Sequence, residues 1–195
     1  MISAGASLEL SLFQGGMMSV LPHRISVKTE AKLKHLFESP PVKANTTAKS
    51  ALPAWSPALY NPGERRANKN VRSVTAIVYD YDETKVAPEQ MKNRMVGKGL
   101  CFALYTTWSH TPAKPRYRVV LFLSRPLAPF EYERAWKRGV EFIGVLDVDN
   151  QAKDISRNYI LPVQREGFPY VGVFHQGSLM STDTLLLEEP TFSLE

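Results

Sequence analysis

Apolar and polar positions change their period several times along the chain, and each change predicts an element. Residues 8–27 (LELSLFQGGMMSVLPHRISV) read as two short strands around a Gly15-Gly16 turn. Thr29 and Glu30 open a short basic helix that runs to Phe37 and is stopped by Pro40-Pro41. Residues 39–70 carry five prolines (Pro40, Pro41, Pro53, Pro57, Pro62) and no steady period, which predicts a long ordered loop or a crossing arm. The β-branched run from Val74 to Val78 is a buried strand that climbs towards Asp80. Ala87-Pro88-Glu89-Gln90 is a helix start with proline in the first turn, and that helix ends near Gly97. Residues 100–107 and 116–123 read as buried strands by length and aromatic content. Residues 126–143 form a helix whose buried stripe is Tyr132, Trp136, Val140 and Ile143. Residues 158–163 and 170–175 are expected to close the sheet as a hairpin-like pair around Gly167, and Leu185-Leu186-Leu187 packs as a last short element.

These elements define an α/β (α+β) chain, and its 195 residues suit a single domain. Within it, residues 1–70 make an N-terminal unit with a basic, proline-containing arm, 71–178 the core and 179–195 an acidic tail. A hydrophobic content of 44% with 22% charged residues is that of an ordinary folded protein. The net charge of +5 permits an anionic partner, and it is unevenly placed: residues 1–79 hold ten Lys/Arg against four acids, whereas 179–195 hold four acids and no base. The single cysteine, Cys101, excludes an internal disulfide framework and a cysteine-based zinc site, which fits a reducing, cytoplasmic setting. No apolar run approaches the ~20 residues of a membrane span, and the N-terminus lacks the pattern of a signal peptide.

The candidate chemistry begins where the central strand ends. On an extended strand positions i and i+2 share a face, so Asp80 and Asp82 project together with Cα atoms roughly 6–7 Å apart. Two carboxylates that close repel each other unless a cation sits between them or one is protonated, and a divalent metal is one answer. If residues 114–118 are extended, Lys114, Arg116 and Arg118 line one face, an arrangement suited to a polyanion such as a triphosphate. His110, beside the hydroxyls of Ser109 and Thr111, stands at the base of that strip. A third acid near the next strand, Asp154 or Asp149, could complete a metal site, although Asp and Asn at such a turn also serve backbone bonding. Trp55 with Arg65, Arg66 and Lys69 combines aromatic and basic groups as a single-stranded nucleic acid groove does, and Arg157 and Arg165 could contact phosphates. Carboxylates around Mg²⁺ or Mn²⁺ beside a basic strip are what two-metal nucleotidyl transfer requires.

The segments Asp80-Tyr81-Asp82, Thr107-Trp108-Ser109-His110-Thr111-Pro112-Ala113-Lys114-Pro115-Arg116-Tyr117-Arg118 and Asp154-Ile155-Ser156-Arg157-Asn158-Tyr159 resemble the three motifs of the archaeo-eukaryotic primase superfamily. The likeness is to the primase-like replication proteins of phages and plasmids and covers roughly residues 53–163. It implies an RRM-like primase-polymerase core joined to an N-terminal α/β unit. It also implies template-directed nucleotide polymerisation on single-stranded DNA from nucleoside triphosphates. By position, Asp80, Asp82 and Asp154 would be catalytic metal ligands for Mg²⁺ or Mn²⁺, with His110, Ser109, Lys114, Arg116 and Arg118 on the nucleotide. The chain ends soon after this core, with little room for the helical accessory domain such primases often use, so a separately encoded helicase is an expected partner. Two rivals start from the same residues. Asp80-Tyr81-Asp82-Glu83-Thr84 also fits a haloacid-dehalogenase-like phosphatase with Asp80 as nucleophile. A non-catalytic DNA-binding replication protein would keep the basic patches alone. A rolling-circle initiator is disfavoured, because no His-x-His occurs among His23, His35, His110 and His175.

Overall fold

A computed structural model describes residues 8–27, 29–40, 42–44, 48–82 and 84–187. Leu8–Phe13 (β1) and His23–Val27 (β2) pair antiparallel, and Glu30–Glu38 (α1) follows, its first turn capped by Thr29 Oγ1 accepting the Lys32 N–H. The proline-rich stretch is not the plain loop its composition predicts. It contributes three short strands, Val42–Ala44 (β3), Ala54–Ser56 (β4) and Ala58–Tyr60 (β5). Pro57, which has no N–H to give a ladder, separates β4 from β5, and the chain changes sheet there.

Val71–Tyr81 (β6) is the central strand. Pro88–Gly97 (α2), Phe102–Thr106 (β7), Tyr117–Leu127 (β8) and Pro129–Ile143 (α3) complete a β-α-β-β-α run. Both helices start alike: Gln90 reaches back to the Ala87 N–H and Glu131 to the Ala128 N–H, each three residues beyond an Ala-Pro pair. Tyr159–Ile160 (β9), Val163–Arg165 (β10), Gly172–His175 (β11) and Thr182–Leu186 (α4) end the described chain. The five-stranded sheet runs β11-β7-β8-β6-β5, all pairs antiparallel. A second sheet runs β2-β1-β4-β9, and β10 pairs with β3 in parallel. The hairpin-like pair expected around Gly167 is therefore not formed. β9 pairs with β4 and β11 with the open edge of β7, while Pro162 interrupts the chain between β9 and β10.

The two faces of β6 follow the strand's period of two. Ile77, Tyr79 and Tyr81, with Tyr117, Val119 and Leu121 of β8, pack against Met91 and Met95 of α2 and Tyr132, Trp136, Val140 and Ile143 of α3. The predicted helical stripe thus seals this side. Ala76 and Val78, with Val120 and Phe122, face the other way, onto Leu10, Leu33, Phe37, Trp55 and Tyr159 of the N-terminal layer. Asp80 and Arg118 prolong this second row, so they emerge at the edge of the seam between the two layers. Leu185 of α4 is buried as expected of the apolar tail patch, whereas Pro41, Glu83, Glu188, Glu189 and Glu195 lie outside the described residues.

Candidate functional site

Cross-strand register sets Asp80 of β6 directly opposite Arg118 of β8. Arg118 Nε and Nη2 both donate to Asp80 Oδ2, at 3.1 and 3.0 Å, and Nη1 donates to the Ile160 carbonyl at 3.5 Å. The guanidinium lies 5.1 Å from the Tyr159 ring centre and 5.8 Å from that of Tyr105, so aromatic faces cover it. Asp80 is 3% and Arg118 8% exposed. The second carboxylate oxygen, Oδ1, is buried with no hydrogen-bond partner among the described residues. Burial pushes the Asp80 carboxyl above its ordinary value, against the opposing pull of Arg118, and the neighbouring Asp82 charge adds to the rise.

Asp82 lies just past the strand, half-buried, and accepts from Arg116 Nη1 at 3.5 Å. The row of acids on one strand therefore faces a row of arginines on the next. This corrects the expectation that Arg116 and Arg118 await a polyanion: Arg118 is committed to Asp80, and only Arg116 remains partly open. Lys114 does not join the strip. It closes a tight turn in which Thr111 and Lys114 exchange backbone bonds, and it stands exposed. Ser109 is half-buried. His110 is 5% exposed, and its Nδ1 accepts the Arg116 N–H at 3.1 Å. That bond requires a bare Nδ1, which leaves the proton on Nε2, and burial lowers the imidazole below its ordinary value. Neutral His110 thus offers an N–H donor.

The two candidates for a third acid, Asp154 and Asp149, differ in their surroundings. Asp154 is exposed, and its Oδ1 accepts the Ser156 N–H and hydroxyl, a turn-forming role. Asp149 is the acid joined to the strand end: its N–H donates to the Asp80 carbonyl at 2.8 Å. Its carboxylate accepts from the Gln151 N–H at 2.8 Å and from Arg157 Nη2 at 3.3 Å. Among the described residues no group of three or more His, Cys, Asp or Glu is gathered to hold a metal ion, so the expected Asp80–Asp82–Asp154 cluster is not assembled. The donors that do stand together, the orphaned Asp80 Oδ1 and the half-buried Asp82, fit a hydrated Mg²⁺ or Mn²⁺, which takes one or two carboxylates and completes its shell with water and substrate phosphate.

Trp55 is 1% exposed. It packs against Phe37 and Tyr159 and donates to the Tyr105 hydroxyl at 3.1 Å, so it is a core residue and not a stacking platform for bases. Arg65 and Lys69 are exposed and Arg66 half-buried. The segment carrying them borders a cleft of about 740 Å³, lined among others by Asn68, Tyr132, Lys153, Asp154 and Arg157. Arg157 links this cleft to the acids through Asp149. Arg165 lies 3.4 Å from the Phe168 ring centre and 5.4 Å from that of Trp108. Tyr105 and Tyr159, the walls around Arg118, were missed in the sequence; both stand at alternate positions from apolar residues on their strands, which reads as core.

The antiparallel β-α-β-β-α core, joined to an N-terminal layer along the seam where Asp80 is buried, has the fold of an AEP primase-polymerase domain. The solved AEP domain of the cyanophage S-2L primase-polymerase superposes with a TM-score of 0.54 at 11% identity, covering 92% of this chain and 88% of that one. The chain belongs to the VapE N-terminal domain family, whose model matches residues 58–192. No curated protein matches it significantly. The five-stranded sheet that carries Asp80 is antiparallel throughout, whereas the phosphatase alternative calls for a further acidic pair at the end of a parallel strand. Among the described residues no helix is long and apolar enough to cross a membrane.

Proposed function

We propose that this domain carries out metal-dependent, template-directed nucleotidyl transfer in phage or plasmid DNA replication. The observation that carries the reading is the unsatisfied Asp80 Oδ1, two residues from Asp82, at the seam of the two layers in a chain with the primase-polymerase fold. A buried carboxylate oxygen without a donor is costly unless a cation completes it. Asp80 and Asp82 would hold Mg²⁺ or Mn²⁺, with Asp149, whose N–H donates to the Asp80 carbonyl, favoured over Asp154 as a further carboxylate. An ion held there would supply Lewis acidity towards a 3′-hydroxyl and charge shielding for a pyrophosphate leaving group. The chain's own residues position charge. Arg118 fixes the Asp80 rotamer, His110 presents Nε2–H to a phosphate oxygen, and Arg116 approaches the nucleotide from the start of β8. Arg65, Arg66, Lys69, Arg157 and Arg165 are the phosphate contacts for a single-stranded template. A separately encoded helicase would supply unwound template.

A second reading, a non-catalytic DNA-binding domain, is favoured by the saturation of Asp80 Oδ2 by Arg118. The two separate in one experiment. Single-stranded DNA, labelled ribo- and deoxynucleotides and Mn²⁺ are incubated with the protein, with and without a primer. Catalysis predicts incorporation that Asp82→Asn abolishes while DNA binding persists. DNA binding with no incorporation under any of these conditions refutes the catalytic reading.

A further inference from the structure

The three ion pairs around the site are of two kinds. Arg118–Asp80 is short, doubly donated and enclosed, with side chains 10% and 4% exposed. Arg116–Asp82 and Arg157–Asp149 are single contacts at 3.5 and 3.3 Å, with side chains 29% and 43%, and 29% and 26% exposed. The two outer guanidiniums have one further hydrogen bond at most among the described residues: Arg157 Nη1 touches Gln151 Oε1 at 3.5 Å, and Arg116 donates from its side chain to Asp82 alone. Neither backbone needs to move for these guanidiniums to turn.

We propose that Arg116 and Arg157 are exchangeable counter-ions, which neutralise Asp82 and Asp149 in the free protein and transfer to the anionic oxygens of the substrate when it enters. The idea rests on the nucleotidyl-transfer reading and deepens it by assigning how the site loads. Half-exposed pairs of this length are weak, and a polyphosphate offers a guanidinium fork more charge and better geometry than one carboxylate oxygen. When the arginines leave, the carboxylates regain affinity for a divalent cation. Polyanion and cation therefore favour each other's binding by the same factor, as linkage requires. The buried Arg118 takes no part in the exchange and keeps the Asp80 side chain in place throughout. Free protein would hold cation weakly, so that metal and triphosphate load together.

The probe is Mn²⁺ alone, with its free-ion electron paramagnetic resonance signal counted as protein is added without nucleotide. Arg116→Gln and Arg157→Gln are each expected to bind Mn²⁺ about two- to fivefold more tightly than the wild type, the equivalent of one half-exposed ion pair. Lys114→Gln removes the same charge from the same hairpin, but Lys114 has no acid partner among the described residues, and its affinity is expected to stay at the wild-type value. In EDTA, a fluorescent non-hydrolysable nucleoside triphosphate should bind both arginine variants more weakly. If the arginine variants take up Mn²⁺ no better than Lys114→Gln, the exchange is overturned while the metal site stands. If Asp80→Asn binds Mn²⁺ as the wild type does, the cation is elsewhere and the nucleotidyl-transfer site itself is overturned.

Discussion

Replacing Arg118 by methionine isolates the energetics of the buried pair. The substitution keeps an apolar stem among Tyr105, Tyr159 and Ile160 but removes both donors to Asp80 Oδ2, leaving a carboxylate that is 3% exposed with neither oxygen satisfied. Removing one partner of a buried ion pair costs about 3–5 kcal/mol, because the remaining charge is uncompensated. At about 2–4 °C per kcal/mol for a chain of this size, the melting temperature should fall by roughly 6–20 °C at neutral pH. The loss must depend on pH. The Asp80 carboxyl is already raised by burial in the native protein, and losing Arg118 raises it further. A carboxyl that holds its proton more tightly folded than unfolded favours the folded state at low pH. That advantage fades as pH climbs above the ordinary value near 4 and is gone beyond the folded-state value. Arg118→Met should therefore lie nearest the wild type around pH 4.5 and furthest from it around pH 8. The double variant Asp80→Asn/Arg118→Met buries no charge and should be more stable at pH 8 than Arg118→Met alone. Urea unfolding of the four proteins at both pH values completes the cycle. An equal penalty at both pH values, or a double variant whose loss is the sum of the two singles, refutes the coupling.

Two further outcomes follow from placement. Trp55→Ala should cost about 3–5 kcal/mol of stability through the cavity it opens among Phe37, Tyr105 and Tyr159, with the affinity of the folded fraction for single-stranded DNA unchanged; a selective loss of affinity in a fully stable variant would return Trp55 to the surface. His110 shows the opposite pH sign to Asp80. Because burial depresses its proton affinity, the unfolded chain takes up the proton first, so this part of the stability is complete above about pH 6.5 and is lost as pH falls towards the lower folded-state value. Stability measured between pH 7.5 and 5.5 should fall less in His110→Asn, and an identical slope in the two proteins would contradict a buried, neutral imidazole.

Elements with a strong local signal were legible in the sequence. The Ala87-Pro88 helix start, the stripe Tyr132, Trp136, Val140 and Ile143, and the central strand needed only local spacing and composition, whereas the second helix starts at Pro129 and not at the expected residue 126. What failed depended on partners distant in the chain. Nothing local to residues 158–175 says that β9 belongs to the N-terminal sheet and β11 to the edge of β7, and nothing local to Ala54–Ser56 says that an arm rich in proline supplies a strand between β1 and β9. Trp55 misled for the same reason: next to a basic run it reads as a groove residue, and only the strand pairing of β4 turns it inward.

The site shows the same division within four residues. The shared face of Asp80 and Asp82 and that of Arg116 and Arg118 were both readable from strand parity. That the two rows meet was not, because it depends on the register of β6 with β8 across the 35 residues between Tyr81 and Tyr117. A slip of one residue would turn Arg118 towards Tyr79 and Tyr81 on the helix side and leave Asp80 without its donors. Two acids at i and i+2 on one strand need a cation, and a neighbouring strand carrying two arginines at i and i+2 can supply it. Where a sequence holds both patterns, the metal-site and cross-strand ion-pair readings both apply. In this fold the half-buried outer pair can open to a ligand and the buried inner pair cannot.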